Sequence, residues 1–277
     1  MQTDPGTFVD LDRYPVHDLL DHRTVALADE CRTALHATGV ATIVDFIRPV
    51  TVSVVVADAL RCAPDAHRQD VFGSPYLERP AEHWPPEHPR RAEGRSALTA
   101  IPYDDLAQDS PLRALYEWNG LLDFIAHILE VPALYRYDDD LGAVNVAMMR
   151  SGDELAWHFD QTDFVVSIAL QSSESGGDFE CVPMLRAPDD ERYVDVAATI
   201  AGDRADRTTT VPMTPGTLVF FAGRHSLHRV TVVGGETPRH VALLGYDTKP
   251  GTCSSDLLRR VRYGRTSARR PPSVDTP

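Results

Sequence analysis

A chain of 277 residues, 43% hydrophobic and 25% charged, can bury the core of one large domain, and it lacks the roughly 20-residue apolar run that spans a membrane. Its formal charge of −14 disfavours nucleic acid as a partner, because a phosphate backbone is recognised by a basic surface. The first residues show neither the basic nor the apolar segment of an export signal, so we expect a cytoplasmic protein.

The N-terminal part of the chain predicts a layer of helices. Apolar residues at helical spacing indicate a helix over 18–38, ended by Gly39, and the run VATIVDFI indicates a strand after it. A second helix should begin near Pro49, and a third should run from Pro111 to Leu129. Between them, residues 73–100 are rich in Pro, Arg, Glu and His and have no periodicity, which predicts a long surface loop that serves as a lid or binding loop.

From Tyr135 onward the chain consists of short β-type runs separated by Gly, Pro, Asp and Ser. Seven such runs within about 110 residues are typical of a sandwich or jelly roll rather than a βαβ fold. We therefore predict a mainly β protein with an α-helical N-terminal layer. It should form one domain over 1–258, with the helical part at about 1–134 and the jelly-roll core at about 135–251. The basic stretch that begins at Arg259 predicts a flexible tail over 259–277.

Two polar residues interrupt the start of one β-type run, LAWHFDQTDFVVSIALQ. His158 and Asp160 are two positions apart, so in an extended chain their side chains point to one face. Such a pair is weak evidence alone, because a chain with 11 His is expected to contain one by chance. A further His lies in the run GRHSLHRVTVV, and a jelly roll brings distant strands around one cavity. Two His and one carboxylate with three open positions are typical of non-haem iron(II) oxygenases, whereas catalytic zinc usually keeps one position open.

The choice between His225 and His228 as the third ligand depends on which face of the strand each occupies. If His228 begins a strand and Val232 pairs with Arg239 across the GGET turn, then His228 and Arg239 share the inner face. A guanidinium buried there needs an anion. An α-keto diacid meets this need, because its keto acid end can chelate the metal while its far carboxylate binds Arg239 through two hydrogen bonds. This argument favours His228.

The order of several motifs resembles a known family. The motifs are WHFD, FVVSIALQ, GGDFECVP, PGTLVFFAGRHSLHRVTVV and PRHVALLGYDTKPG, and the resemblance covers roughly residues 118–251. They are similar to the iron(II)- and 2-oxoglutarate-dependent dioxygenases, which are double-stranded β-helix enzymes with an HxD…H triad and an Arg shortly after the distal His. More narrowly, they resemble the free-standing branch of amino-acid hydroxylases and halogenases. The resemblance implies that His158, Asp160 and His228 bind Fe(II), that Arg239 binds the distal carboxylate of 2-oxoglutarate, and that O2 is consumed.

The resemblance also favours one reaction over another. Halogenases of this superfamily carry a small residue in place of the acidic ligand, so Asp160 favours hydroxylation of an unactivated C–H bond, with release of succinate and CO2. Many relatives place a Ser two residues after the Arg, where this chain has Val241. Thr231, Ser167 and Asn145 are candidates for the second partner of the 2-oxoglutarate carboxylate.

We expect a small-molecule substrate, such as a free amino acid or a derivative, and no nucleic-acid or membrane partner. Two alternatives stay open at this point. One is a cupin-like metalloenzyme that does not use 2-oxoglutarate, which would need no arginine in the cavity. The other is a jelly-roll binding module without catalysis, which would need neither the triad nor the arginine.

Overall fold

The computed structural model describes residues 4–269, in which antiparallel strands carry helices on one side. The strands are β1 (Val40–Ile43), β2 (His67–Gly73), β3 (Gly94–Ile101), β4 (Tyr135–Arg136), β5 (Val144–Met149), β6 (Leu155–His158), β7 (Val165–Gln171), β8 (Phe179–Val182), β9 (Thr209–Val211), β10 (Leu218–Phe221), β11 (Leu227–Val230), β12 (Arg239–Leu244) and β13 (Tyr246–Asp247). The helices are α1 (His22–Thr38), α2 (Pro49–Cys62), α3 (Pro111–Glu117), α4 (Asn119–Ile128), α5 (Tyr193–Ile200) and α6 (Asp256–Tyr263).

Two groups of four strands form the jelly roll. The first sheet has the order β10, β7, β12, β5, and the second has the order β6, β11, β8, β9. The strand β3 joins them by pairing with β5 and with β6. The sheets face each other, since Phe179 of the second packs edge-on against Phe221 of the first with ring centroids 5.0 Å apart. The predicted fold class, a mainly β double-stranded β-helix, is confirmed.

The first sheet is covered on both faces, which explains its continuous apolar sequences. Every residue of β5 is buried. Val144, Val146 and Met148 belong to the large core that the sheet shares with the N-terminal helices, while Ala147 and Met149 face the interior of the jelly roll. A strand buried on both sides loses the alternation of polar and apolar residues that a half-exposed strand shows.

Helices α1 to α4 form the predicted N-terminal layer against the outer face of the first sheet. The helix α1 begins after Asp21, whose carboxylate accepts a hydrogen bond from the N–H of Arg23, and it ends at Gly39, which takes the left-handed conformation. The predicted third helix is two helices, because Trp118 has an extended backbone between α3 and α4. The N-terminal part is also less helical than predicted, since β1, β2 and β3 belong to the same sheet as the core strands.

The predicted surface loop over 73–100 is partly wrong. Residues 94–101 form β3, the strand that joins the two sheets, and its last five residues are buried. The run GRSALTAI contains small residues and one Arg instead of the Val- and aromatic-rich composition that signals a strand. Residues 74–93 remain irregular apart from one short 3-10 turn over Pro89–Arg91.

The predicted hairpin between His228 and Arg239 is wrong. Strand β11 pairs with β6 and β8 in the second sheet, whereas β12 pairs with β5 and β7 in the first. Residues 231–238 cross from one sheet to the other, and Val232, which the hairpin would have buried, is 54% exposed. In a jelly roll consecutive strands commonly lie in opposite sheets, so nearness in sequence does not imply pairing.

The predicted flexible tail over 259–277 is wrong for the part that the structure describes. Helix α6 crosses the expected boundary, and Tyr263 at its end is buried. Residues 270–277 of that prediction lie outside the described residues. Within residues 4–269, no helix combines the length and the apolar character that crossing a membrane requires.

Candidate metal centre

Three polar side chains meet at one end of the second sheet. His158 is the last residue of β6, Asp160 follows it by two residues, and His228 lies in β11. The two strands are antiparallel neighbours, and the Cα atoms of His158 and His228 are direct partners in the ladder. Residues directly opposite each other in a ladder share a face, which brings the two imidazoles together.

The distances fit a single metal ion. One ligand atom from each of His158, Asp160 and His228 lies within 4.8 Å of the others. The Oδ2 atom of Asp160 is 3.5 Å from Nε2 of His228, and the two imidazole centroids are 4.1 Å apart. Two His and one carboxylate around a shared point are the donor set of non-haem iron(II) sites.

Backbone carbonyls fix the orientation of both imidazoles. The Nδ1 atom of His158 lies 2.7 Å from the carbonyl oxygen of Ala156, and Nδ1 of His228 lies 2.9 Å from that of Ser226. A carbonyl oxygen accepts only, so each Nδ1 carries the proton and donates it. Each Nε2 therefore keeps a lone pair for a metal, the arrangement that holds histidine ligands in known metal sites.

Burial keeps His158 ready to act as a ligand. Desolvation, together with the neighbouring His228, lowers the pKa of His158 to about 4, although the carboxylate of Asp160 acts in the opposite direction. The imidazole of His158 is consequently neutral near pH 7, and a neutral imidazole is the form that binds metal.

The carboxylate of Asp160 lies directly over Gly223, in the turn between β10 and β11. A Cβ atom on Gly223 would be 1.7 Å from Oδ2 of Asp160 and 2.6 Å from its Cγ. The N–H of Asp160 also donates a hydrogen bond of 3.1 Å to the carbonyl oxygen of Gly223. The bare backbone at 223 is thus the surface on which the acidic side chain rests.

Arg239 begins β12 and is buried, with 6% of its surface exposed. Within residues 4–269 its guanidinium makes no hydrogen bond and no ion pair, and burial lowers its pKa to about 10, with Asp178 opposing that shift. Its stem packs beside Gly177, where a Cβ atom would be 3.1 Å from Cδ of Arg239 and where φ is +68°. A buried cation without a partner is unfavourable unless an anion binds it.

A family model matches this chain over residues 88–257, a span that contains every residue of the centre. The model describes halogenase D. The chain belongs to the halogenase D family. No curated protein matches it.

Several solved structures have a fold similar to that of this member of the halogenase D family. The epimerase SnoN, solved with Fe3+, alpha ketoglutarate and nogalamycin RO, has 16% identity and a TM-score of 0.55, with 90% of this chain and 97% of that chain covered. AviO1 from Streptomyces viridochromogenes has 17% identity and a TM-score of 0.54, covering 84% and 97%. An oxidoreductase of the 2OG-Fe(II) oxygenase family from Burkholderia pseudomallei has 14% identity and a TM-score of 0.51, covering 82% and 92%.

The family model and the shared fold confirm the predicted membership of the iron(II)- and 2-oxoglutarate-dependent oxygenase superfamily, and the chain is an enzyme of that superfamily. At these identities the structural likeness concerns the fold alone. The roles of individual residues in this member of the halogenase D family must therefore come from its own geometry.

The other predicted site residues lie at different places. In the strand ladder, Asn145 of β5 and Ser167 of β7 are the partners of Leu243 on the two sides of β12. Leu243 lies four residues after Arg239 in β12, so the two side chains share a face. Asn145 and Ser167 therefore face the interior, as Arg239 does. Thr231 lies outside, where its hydroxyl accepts a hydrogen bond of 2.9 Å from the N–H of Asp178. His225 is not among the three clustered ligands.

The sequence did not predict three features of the centre, namely Gly223 and the carbonyls of Ala156 and Ser226. A glycine beside a predicted strand usually indicates a turn, and a backbone carbonyl carries no signal in the sequence.

A small cavity of about 200 Å³ also borders Asp160, lined by Tyr76, Glu78, Arg90, Phe159, Gln161, Arg186 and Arg224. A larger cavity of about 350 Å³, between α1 and β9, is lined by none of the three triad residues.

Proposed function

We propose that this protein is an iron(II)- and 2-oxoglutarate-dependent oxygenase that hydroxylates an unactivated C–H bond of a small, amino-acid-like substrate. The observation that carries the proposal is the joint presence of a His–Asp–His triad within 4.8 Å and a buried arginine that has no partner among residues 4–269. A cupin-like metalloenzyme without 2-oxoglutarate would have no use for that arginine, and a binding module would have no use for either feature.

The residues fit the metal and the cosubstrate. The free Nε2 atoms of His158 and His228 and the carboxylate of Asp160 would hold Fe(II), leaving positions for the keto acid end of 2-oxoglutarate and for O2. Arg239 would bind the distal carboxylate, since a planar guanidinium matches a carboxylate through two parallel hydrogen bonds. Bound iron and 2-oxoglutarate would supply the oxidising chemistry, in which O2 is reduced while 2-oxoglutarate loses CO2 and becomes succinate.

The protein would contribute orientation and the exclusion of water. The carbonyls of Ala156 and Ser226 hold the two imidazoles in the tautomer that binds metal. The interior that Arg239 shares with Ala147 and Met149 is apolar and buried, which strengthens the attraction between its guanidinium and a bound carboxylate. Asn145 and Ser167 face the same interior and are our candidates for further contacts with 2-oxoglutarate.

Hydroxylation is favoured over halogenation because the acidic ligand is present. Asp160 occupies the metal position that a halide would need, and its carboxylate already fills the space over Gly223. The substrate C–H bond would therefore be replaced by C–OH, with one oxygen atom of O2 in the product and the other in succinate.

The cavity beside Asp160 supports a small substrate with both signs of charge. Its volume of about 200 Å³ lies below the range of about 300–1,000 Å³ that drug-sized ligands occupy. Its lining includes three arginines and Glu78, and the buried hydroxyl of Tyr76 has no hydrogen-bond partner among the described residues. A free amino acid, with a carboxylate and an ammonium group, has the size and the charges for such a lining.

Succinate release in the presence of Fe(II), 2-oxoglutarate, O2 and a panel of free amino acids tests the proposal. We expect at least one amino acid to stimulate succinate release and to gain one oxygen atom by mass spectrometry. The variants Asp160→Ala and His228→Ala should lose this activity, while His36→Ala on the exposed face of α1 should keep it. Arg239→Ala should raise the KM for 2-oxoglutarate.

Each part of the proposal has a contrary outcome. Absence of iron-dependent succinate release with every compound would contradict the oxygenase assignment. Unchanged turnover in Arg239→Ala would contradict the cosubstrate site. A product that carries chlorine when chloride is supplied would contradict the assignment of hydroxylation.

A further inference from the structure

The jelly roll is closed on one side and open on the other. Strand β3 joins the two sheets on the closed side, whereas β1 and β9 are the edge strands of the two sheets on the open side. The cavity of about 350 Å³ lies at this open side, bounded by β1, β9 and helix α1. The free edges of the two sheets therefore leave a space between them.

One row of the strand ladder connects this cavity with the triad. The triad residues His158 and His228 are ladder partners. His228 is in turn the partner of Cys181 in β8, and Cys181 is the partner of Thr209 in β9. Partners in a ladder point to the same face of the sheet, and both Cys181 and Thr209 line the cavity. The cavity wall is thus the immediate neighbour of a triad histidine.

The other sheet supplies the opposite wall. The ring of Phe221, at the end of β10, packs edge-on against the imidazole of His228 with the centroids 4.7 Å apart. Val40 of β1 is the ladder partner of Phe221, and it lines the cavity. Phe221 and Cys181 belong to one buried cluster. These two side chains therefore form the wall between the cavity and His228.

The inner part of the cavity is apolar and its rim is polar. The buried lining residues are Cys31, Ala41, Cys181 and Val211, and a buried free thiol behaves as a small apolar group. Among the described residues that line the cavity, Glu30 is the one charged group, and it is exposed. An anion such as 2-oxoglutarate would be repelled there. The cavity suits a small uncharged molecule instead.

The cavity beside Asp160 has the opposite character. Three arginines and Glu78 line it, so charged reactants find partners on that side of the triad. The side of His228 presents apolar groups. Among the reactants that the proposed function requires, O2 is the uncharged and apolar one, and such a molecule leaves water for an apolar space.

We propose that the cavity between β1 and β9 takes up O2 and delivers it to the iron past Cys181 and Phe221. This inference rests on the proposed function and adds a separate entrance for one of its reactants. O2 would collect against Cys31 and Cys181, while the charged reactants would use the cavity beside Asp160. A substrate bound in that second cavity would then leave the path of O2 open.

Xenon tests the uptake site without turnover, because this apolar atom occupies apolar cavities in proteins. In crystals of the protein under xenon pressure, we expect xenon in contact with Cys31 and Cys181. Ala34→Phe would fill the cavity from α1, and Thr209→Phe would fill it from β9, so each should lower the xenon occupancy. The matched control is Ala37→Phe, at an exposed position of α1 outside the cavity lining, which should keep the occupancy.

Nitric oxide tests delivery, because it is an uncharged diatomic molecule like O2 and binds ferrous iron. Stopped-flow absorption would follow its association with the protein loaded with Fe(II) and 2-oxoglutarate. Ala34→Phe and Thr209→Phe should each slow the association about fivefold or more, whereas Ala37→Phe should keep the rate. Calorimetry should give the same Kd for 2-oxoglutarate in all four proteins.

The contrary outcomes separate the inference from the proposed function. Xenon absent from the cavity would overturn the inference, and so would unchanged association of nitric oxide in both Ala34→Phe and Thr209→Phe. Slower association with an equal loss of affinity for 2-oxoglutarate would also overturn it, because the substitutions would then act on the whole site. Failure of the unaltered protein to bind Fe(II) or 2-oxoglutarate would overturn the proposed function, and the route for O2 with it.

Discussion

At the scale of single residues, Gly223 is explained by its neighbour rather than by its backbone. Its φ angle is not in the left-handed region, so a residue with a side chain could adopt the same conformation. The obstacle is the carboxylate of Asp160, whose Oδ2 atom lies 1.7 Å from where a Cβ atom would stand. Because that oxygen is also the one nearest His228, a methyl group at 223 would displace the acidic ligand.

This geometry predicts the metal affinity of two variants and of their combination. Gly223→Ala should weaken Co(II) binding about as much as Asp160→Gly does, because both remove the carboxylate from the metal. The double variant should lose no more Co(II) affinity than Asp160→Gly alone, because without the Asp160 carboxylate the methyl group at 223 has nothing to clash with. Titration of Co(II) followed by visible absorption measures all four proteins.

A matched control separates this effect from a general effect of alanine. A Cβ atom on Gly73 would meet nothing closer than 3.6 Å, and its φ angle is also outside the left-handed region, so Gly73→Ala should keep the Co(II) affinity of the unaltered protein. Additive losses in the double variant would mean that Gly223 acts on the metal by some route other than Asp160.

Arg239 should reduce the stability of the protein while no anion is bound. Replacing this buried cation, which has no partner among the described residues, with methionine removes the desolvation cost, so Arg239→Met should raise the free energy of unfolding by about 1–2 kcal/mol while weakening 2-oxoglutarate binding. Urea unfolding measures the free energy of unfolding, and calorimetry measures 2-oxoglutarate binding.

The contrasting variant is Arg113→Met. Arg113 is also buried, but it donates hydrogen bonds to the carbonyls of Tyr103 and Leu106, so its replacement should lower the free energy of unfolding. A less stable Arg239→Met would show that the guanidinium has a partner within the protein.

At the scale of elements, local patterns predicted the helices and the core strands but not how the strands pair. Helical spacing and β-type composition are properties of contiguous residues, so the sequence predicts α1, α2, β5 and the strands from β7 to β12, but not the four-residue strand β6. The pairing of β12 with β5 and β7 instead of β11 depends on contacts between distant segments. The wrong hairpin still placed Arg239 inside, because either arrangement buries the same face of β12.

The C-terminal helix shows that a run of like charges does not by itself predict a flexible segment. The basic run predicts a flexible tail, yet its arginines pair with the carboxylates of three residues far upstream, Asp104, Asp105 and Asp139. Composition cannot show a partner that is more than a hundred residues away. The helix α5 was missed for a related reason, since eight residues are too short for a clear period.

The folded state of α6 predicts resistance to trypsin. The bonds after Arg259, Arg260 and Arg262 should be cleaved slowly in the native protein, because a protease needs an extended chain and this one is helical and fixed at both ends. Arg265→Gln removes the contact with Asp104 and should speed the cleavage. Mass spectrometry of a digestion time course measures both rates. Immediate cleavage in the unaltered protein would restore the interpretation as a flexible tail.

At the scale of the whole molecule, buried histidine should make the fold sensitive to acid. His240 is fully buried, and neither ring nitrogen has a hydrogen-bond partner among the residues that the structure describes. Desolvation, with a smaller contribution from Arg150, lowers its pKa to about 4. The unfolded chain binds the proton near its ordinary pKa of about 6.5, so the unfolded state gains protons first as the pH falls. The free energy of unfolding should therefore decrease between about pH 6.5 and 4, by roughly 3 kcal/mol from this residue.

Urea unfolding at a series of pH values measures this loss. His240→Leu should flatten the acid limb of the curve, whereas His22→Leu, at an exposed position, should leave it unchanged. An acid limb as steep in His240→Leu as in the unaltered protein would assign the loss to other groups.

The site as a whole was easier to predict than the fold around it. The spacing of His158 and Asp160, a later histidine and an arginine in a buried strand are chemical features that the sequence states directly. The surface under Asp160 arises only when distant segments meet, so no local pattern carries it. The carbonyls that orient the imidazoles belong to residues only two positions away, but a backbone carbonyl carries no signal in the sequence.

A structure of the protein determined without O2, after binding Fe(II) and 2-oxoglutarate, would test the central claim most directly. We predict one iron ion ligated by Nε2 of His158, Nε2 of His228 and the carboxylate of Asp160, with the distal carboxylate of 2-oxoglutarate on the guanidinium of Arg239. Iron bound elsewhere, or 2-oxoglutarate with its distal carboxylate away from Arg239, would contradict the account.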